Sequence, residues 1–519
     1  MSLHLTVGES LLGSVRKYPD KTALVFEDRS FTFREFNARV NRAAHLLLSF
    51  GLTKGDRVAV LAMNCNELVE VALALGKVGL VAVPVNFRFV EREIEYVVNQ
   101  PNCRAMFVAD EFMATVDPIR ERMPSVQHLV AFSQQPLPGM GNYEALIAGF
   151  ADTEPGVQVS DDDPWFIGFT SGTTGFPKGA LLTHSARLLP VLNMAIEYGI
   201  GDTDGVLVTM PIFHSNGMTF THMGLALGNT VVVLRQFEPE DVLNAIDRHG
   251  LTYVSMVPTM YSRILGLPDE VRSRYNLQTM RVLISSSAPL MTQTKEDILR
   301  CFPRAQLNEF YGSTEAGVVT NLKPRDQRRK TRCVGQPVFG VQVKVLDAEG
   351  REVAPGEVGE LWSSGPCLKE YFGMPEATAK VFRDGWFSAG DLARVDEEGY
   401  IYIVDRRTDL ILSGGENIYP AEVEDALLHL PGVVELAVVG VPHPDWGESV
   451  HAVVVPQPGV EITLADLQAF CQGRLAKYKR PRSMSIAQAL PKTATGKVLR
   501  RQLKEALRAS SEAEPVATA

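Results

Sequence analysis

Residues 170–179 read Thr-Ser-Gly-Thr-Thr-Gly-Phe-Pro-Lys-Gly and follow directly on the strand-like run Trp165-Phe166-Ile167-Gly168-Phe169. A loop of this kind behind a strand suits polyphosphate. Gly172 and Gly175 let the backbone come close, the hydroxyls of Thr170, Ser171, Thr173 and Thr174 donate hydrogen bonds, and Lys178 adds a positive charge. Ten specified positions argue against a plain Gly/Ser/Thr turn. It is not a Walker loop either, because no Gly stands immediately before Lys178 and no Ser or Thr follows it, so the kinase and GTPase geometries fail.

Working outward from this loop, short β-branched runs alternate with helical or turn-rich segments. Apolar residues recur at helical spacing from Ser30 to Leu52, then Arg57 to Met63 reads as a buried strand with a helix toward Leu75. Val81 to Val85, Ala105 to Val108, Gln127 to Phe132, Val206 to Met210, Thr230 to Leu234, Tyr253 to Val257 and Val282 to Ser285 continue the series. The order predicts an α/β fold with largely parallel sheets. Past Val341 the texture changes. Val341 to Leu346, Gly359 to Ser363 and Tyr400 to Val404 are strands joined by Gly-, Pro- and Asp-rich turns, which predicts a small β subdomain. The polar segment Asp405-Arg406-Arg407-Thr408-Asp409 then separates two apolar strands and marks an interdomain hinge. Beyond it come a helix from Pro420, strands near Val434 and His451, and a helix from Leu464. The expected division is a large multi-subdomain domain over 1–406 and a small, mobile α+β domain over 407–519. The small, polar residues 509–519 are expected to be disordered.

A chain of 519 residues, 45% hydrophobic and 22% charged, has room for at least two domains and is neither disordered nor fibrous. Lys and Arg total 51 against 61 Asp and Glu, and the net charge of −10 gives no general attraction to nucleic acid or anionic lipid. Any phosphate site must therefore be local. Cys65, Cys103, Cys301, Cys333, Cys367 and Cys471 are scattered without metal-ligand spacing and read as reduced thiols. No basic leader precedes an apolar segment, and no run is apolar enough to cross a bilayer. A cytoplasmic location is expected.

Further signatures follow the loop in order: Pro211-Ile212-Phe213-His214, Ser285-Ser286-Ser287-Ala288-Pro289, Tyr311-Gly312-Ser313-Thr314-Glu315, Gly385-Trp386-Phe387-Ser388-Ala389-Gly390-Asp391, Asp405-Arg406, and Pro491-Lys492-Thr493-Ala494-Thr495-Gly496-Lys497. This series resembles the acyl-adenylate-forming superfamily, the AMP-binding enzymes that include acyl-CoA synthetases, luciferases and peptide-synthetase adenylation domains. The resemblance spans nearly the whole chain and is strongest toward bacterial acid:CoA ligases.

Residue chemistry and resemblance agree on roles. Tyr311 offers an aromatic face to a purine, Gly312 and Ser313 form the turn, Thr314 can donate to a phosphate oxygen, and Glu315 is a hard ligand of the sort magnesium takes alongside phosphates. Resemblance implies that the backbone of Ser287, Ala288 and Pro289 covers the other adenine face. Asp391 can accept from both ribose hydroxyls, and resemblance adds Arg406 to that clamp. His214 suits the orientation of an incoming carboxylate, and Gly217, Met218 and Gly224 are candidate walls of the acyl pocket. Lys497 would stabilise charge building at the α-phosphate.

The family rotates its small domain between two poses, and resemblance puts the pivot at Thr408, where members usually carry Asp or Lys. In the second pose Ser413, Gly414 and Gly415 would let a pantetheine arm pass, and Tyr478, Lys479 and Arg480 suit the adenine and phosphates of coenzyme A. The implied activity is an ATP-, magnesium- and coenzyme A-dependent ligase acting on a fatty or aromatic carboxylic acid. An adenylating enzyme that loads a carrier protein is the alternative. The expected partner is a small-molecule carboxylic acid, with no nucleic acid and no stable membrane insertion; a homodimer is one allowed assembly.

Overall fold

The computed structural model describes residues 6–170, 177–288, 290, 292–406, 409–413, 416–443, 446–472, 474–493 and 496–513. The chain divides into two compact units, Met1–Val343 with Ser363–Phe387, and Lys344–Trp362 with Ser388–Ala519.

In the first unit the apolar runs pair into two sheets. One has a parallel centre, Gln306–Ser313, Val282–Ser285, Tyr253–Met256, Gly205–Val208, Thr230–Val233 and Thr22–Phe26 in that spatial order, with antiparallel strands at both edges. The other places Pro164–Thr170, Val81–Pro84, Arg57–Leu61, Ala105–Ala109 and His128–Phe132 side by side in parallel, while Lys178–Thr183 returns antiparallel on Pro164–Thr170. Val81–Pro84, Gly205–Val208, Tyr253–Met256 and Val282–Ser285 are buried at every position. Helices covering both faces explain why these runs show no in–out alternation in sequence. Val254, Met256, Leu283 and Phe302 centre the core of the first sheet, and Ala59, Val83, Met106 and Ile167 that of the second.

One helical boundary differs from expectation. Arg29–Thr32 is a strand antiparallel to Thr22–Phe26, and the helix begins only at Phe33. Thr32 and Glu35 set that start as a reciprocal capping box, with Glu35 N–H donating to Thr32 Oγ1 at 3.2 Å and Thr32 N–H to Glu35 Oε2 at 2.8 Å.

In the second unit, the strand Gly359–Ser364, which belongs to it as far as Trp362, forms an antiparallel sheet with Asp391–Val395 and Ile401–Arg406. A further sheet joins Glu416–Ile418, Ile411–Ser413, Gly447–Pro456 and Val433–His443, with Ser483–Ile486 parallel to Gly447–Pro456. The helices Pro420–Leu427 and Leu464–Phe470 pack through Val423, Leu427 and Leu467 against Val438, Val450 and Ala452. At the C-terminus the helix Arg500–Ala513 runs into the segment expected to be disordered, since Ala509, Ser510, Ser511, Glu512 and Ala513 contain no helix breaker. Among the described residues no helix is long and apolar enough to cross a membrane.

Candidate active site

The strand Pro164–Thr170 delivers the glycine-rich loop and Lys178–Thr183 carries the chain back, pairing Thr170 with Lys178 across the loop's mouth. Ser171, Gly172, Thr173 and Thr174 lie outside the described residues. Thr170 Oγ1 donates to Glu315 Oε1 at 3.0 Å, and Tyr371 OH donates to the same oxygen at 3.0 Å. Lys178 Nζ lies 5.0 Å from the centroid of the Tyr371 ring. Two hydroxyls thus fix a buried carboxylate, and one of them belongs to the ring over which Lys178 stands.

Glu315 belongs to the turn of a hairpin in which Ser313 faces Gly317 and Gly312 faces Val318. Ala316 N–H donates to Ser313 Oγ at 3.0 Å, and Leu368 N–H to Glu315 O at 2.6 Å, so the turn is tied at both shoulders. Its approach to the loop strand depends on Gly168. A Cβ there would stand 2.7 Å from both Thr314 Cγ2 and Phe166 Cε1, so any side chain would force one of them to move. Ser287 and Tyr311 each lie two residues beyond the paired Ser285 and Glu309, at the carboxyl edge of adjacent parallel strands, where α/β sheets receive ligands. Ser287 holds φ at 70° on an exposed turn and Ala288 is half-buried; Pro289 is outside the described residues.

His214 is the N-cap of the helix Ser215–Leu227. Its Nδ1 accepts from Asn216 N–H at 3.3 Å, which puts the ring proton on Nε2, and burial with a smaller contribution from Arg187 lowers its pKa to about 4. The imidazole is therefore neutral and presents an N–H. The segment leading to it is pinned by buried Asn64, whose side chain donates to Met210 O and Leu234 O and accepts from Ile212 N–H at 2.7 Å. Arg187 is buried, donates to Ser215 Oγ at 2.6 Å and Thr219 Oγ1 at 2.7 Å, and lies over the Phe166 ring. Gly217 and Gly224, expected as pocket walls, have close neighbours on the side where a Cβ would stand. A Cβ on Gly217 would meet Pro211 O at 2.3 Å, and one on Gly224 would meet Val231 at 2.6 Å, so the first lets the helix lie close on its own entry loop and the second close on the sheet. Met218 is buried.

The second unit carries the remaining residues. Asp391, 5% exposed, opens a strand and faces Arg406 in the antiparallel register. Ser388 shapes the approach by donating to Glu360 Oε1 at 2.7 Å and accepting from Gly390 N–H. Lys497 closes a tight turn in which Thr493 N–H donates to Lys497 O and Lys497 N–H to Thr493 Oγ1. Arg500, one turn further on, donates twice to Glu424 at 2.7 Å and reaches Asp409 at 3.4 Å. Ser413 is buried, while Thr408, Gly414 and Gly415 lie outside the described residues. Tyr478 is 36% exposed, but Lys479 Nζ is engaged by both Glu422 oxygens at 2.7 and 2.8 Å, and Arg480 Nε donates to Leu475 O.

Residues 12–372 match the AMP-binding enzyme family, and residues 422–497 match the C-terminal domain of AMP-binding enzymes. The chain belongs to that family. A feruloyl-CoA synthase from Amycolatopsis sp is 38% identical over 94% of this chain and 96% of its own length. A fatty acid–[acyl-carrier-protein] ligase, ScoC of Streptomyces coeruleorubidus, is 34% identical over 94% of this chain and 93% of its own. Among solved structures, ATP-bound MatB from Rhodopseudomonas palustris superposes with a TM-score of 0.89 at 31% identity, covering 98% of this chain and 99% of that one. The family member is thus an AMP-forming acid–thiol ligase of the acyl-CoA synthetase kind, with the mixed α/β architecture expected from sequence.

Tyr371, Asn64, Arg187 and Asn216 escape the sequence reading. Asn64 alone leaves a signal, a polar residue three positions past the end of a buried strand.

Proposed function

We propose that this enzyme adenylates a fatty or aromatic carboxylic acid with ATP, releasing pyrophosphate, and then passes the acyl group to coenzyme A. The observation that carries the reading is the buried Glu315 carboxylate held by the Thr170 and Tyr371 hydroxyls, with Lys178 over the Tyr371 ring. One hard carboxylate held by hydroxyls, beside a loop suited to phosphates, fits magnesium, which takes few protein ligands and shares substrate phosphate oxygens. Glu315 would hold the ion, whose positive charge would offset that of the phosphates. Thr314, on the same turn, would donate to the α-phosphate, with Tyr311, Ser287 and Ala288 about the adenine.

In this reading the Nε2 proton of neutral His214 hydrogen-bonds the acid's carboxylate, leaving its oxygen lone pairs available for attack on phosphorus. Asp391 and Arg406 hold the ribose, and Lys497 stabilises the charge that develops during attack. Ser413, Gly414, Gly415, Tyr478 and Arg480 serve coenzyme A; Lys479 would first have to leave Glu422. The proposal retains a large domain over 1–406, a small mobile one over 407–519, a pivot at Thr408, and action in the cytoplasm.

Pyrophosphate release across fatty, aryl and dicarboxylic acids, with and without coenzyme A, tests the reading. Acid-dependent release together with acyl-CoA formation supports it. The similarity to a carrier-protein ligase favours one second reading, transfer to a carrier. Thioester made from free coenzyme A without any carrier would exclude that alternative, whereas no acid-dependent release at all would end the adenylation assignment.

A further inference from the structure

Asn216 sits in the first turn of the 13-residue helix Ser215–Leu227, two residues past His214, and is 8% exposed. Its Nδ2 donates to Ser255 Oγ and to Ser286 Oγ, each at 3.1 Å, and those serines are both 3% exposed. The two amide protons are thereby used. Its Oδ1 is buried and has no hydrogen-bond partner among the described residues.

The position of this oxygen is informative. Ser255 pairs with Ile284 in adjacent parallel strands, so Ser286 follows on the same sheet face, and both lie at the carboxyl edge where ligands enter α/β sheets. Ser286 leads directly into Ser287 and Ala288, proposed to flank adenine, and Asn216 follows the residue proposed to receive the acid's carboxylate. The amide is thus tied to the strand end that leads into the proposed adenine contacts and follows the residue proposed for the carboxylate. A site for a plain hydrocarbon chain would be served by an apolar side chain there, because a buried acceptor without a donor is costly. Met218 and Phe220, both 2% exposed on the same helix, show that apolar residues pack readily in this segment.

Resting on the ligase reading above, we infer that Asn216 Oδ1 accepts a hydrogen bond from a hydroxyl on the acyl part of the substrate, so that the enzyme selects hydroxylated acids over unsubstituted ones. Ser255 and Ser286 hold the amide in the orientation that offers its oxygen. A phenolic and an aliphatic hydroxyl supply the same donor, and matched pairs of acids separate them: para-hydroxybenzoate with benzoate, para-hydroxycinnamate with cinnamate, and beta-hydroxyoctanoate with octanoate.

The test measures kcat/KM for pyrophosphate release with each pair, on the full chain and on Asn216→Leu. Wild-type enzyme should favour the hydroxylated member of at least one pair by about tenfold or more, the pair revealing which hydroxyl is read. Asn216→Leu should bring that ratio to about one by losing rate on the hydroxylated acid. Equal activity on both members of every pair in the wild type overturns the inference while leaving the ligase reading intact, and so does an equal loss on both members in the variant, which would make Asn216 a structural tie between helix and loop. If the variant does not fold, the wild-type ratio decides alone. Release with none of the acids would remove the ligase reading and this inference together.

Discussion

Glu315 and Lys497, the two charged groups proposed to act on the phosphates, are supported in different ways. Glu315 is buried, and hydroxyls from two separate strands hold one of its oxygens before any ligand arrives. Lys497 is half-buried, and its backbone exchanges hydrogen bonds with Thr493, four residues before it. The contrast matches two kinds of work. A group that binds nucleotide throughout the reaction gains from being preset, since its position need never change. A group needed only as charge builds on phosphorus can be supplied from a turn, provided that the turn itself is rigid.

That contrast can be broken most severely at Lys497. Lys497→Ala should slow acid-dependent pyrophosphate release by roughly 10²–10³-fold or more, while thioester formation from supplied acyl-AMP survives. Measuring the two half-reactions separately decides it, and equal losses would make Lys497 structural. Asp391→Ala should act on binding in both half-reactions, raising the KM for ATP and for acyl-AMP by about 10–100-fold as charge-assisted bonds to the ribose disappear. Deoxy-ATP should then be discriminated little from ATP; retained discrimination would take Asp391 out of the site.

The first unit's presetting also has a signature in pH. Burial lowers His184 to about 4, His214 to about 4 and His222 to about 3, from an ordinary value of 6.5. The folded chain keeps these rings neutral where the unfolded chain protonates them, so the unfolded state binds more protons between about pH 4 and 6.5. Stability is therefore complete above that window and falls on acidification, by up to about 1.4 kcal/mol per pH unit for each ring. Urea unfolding from pH 7 to 4.5 should show this slope, and His222→Gln should flatten it; an unchanged slope would mean that His222 titrates normally. The smallest effect is expected at Tyr371. With Thr170 still donating to Glu315, Tyr371→Phe should raise the KM for ATP only about 2–10-fold. A hundredfold loss would show that the ring has a direct part in chemistry.

The fold was legible because buried parallel strands leave unbroken β-branched runs, and Tyr253–Met256 and Val282–Ser285 lie within the segments read from sequence. Short signatures such as Tyr311 to Glu315 were legible because their chemistry is local. Tyr371 was not, for it meets Glu315 across 56 residues and nothing in its own neighbourhood points there. Asn64 likewise serves Ile212 across 148 residues. Gly217 shows the opposite difficulty: a glycine near a site reads as room for a ligand, whereas here the room is taken by the carbonyl of Pro211. Sequence spacing cannot tell a gap that is filled by backbone from one left for substrate.

The bond from Thr170 to Glu315 spans 145 residues and joins an interior strand of one sheet to a hairpin turn of the other. Its closure is entropically late, since contacts this distant in sequence reward the chain only after the intervening segments have ordered. Each sheet can gather its own core earlier, around Met106 in one and Val254 in the other. On refolding from denaturant, recovery of helical and strand signals should thus run ahead of the ability to bind nucleotide, and ATP would report the moment at which the two sheets dock rather than the moment at which either forms.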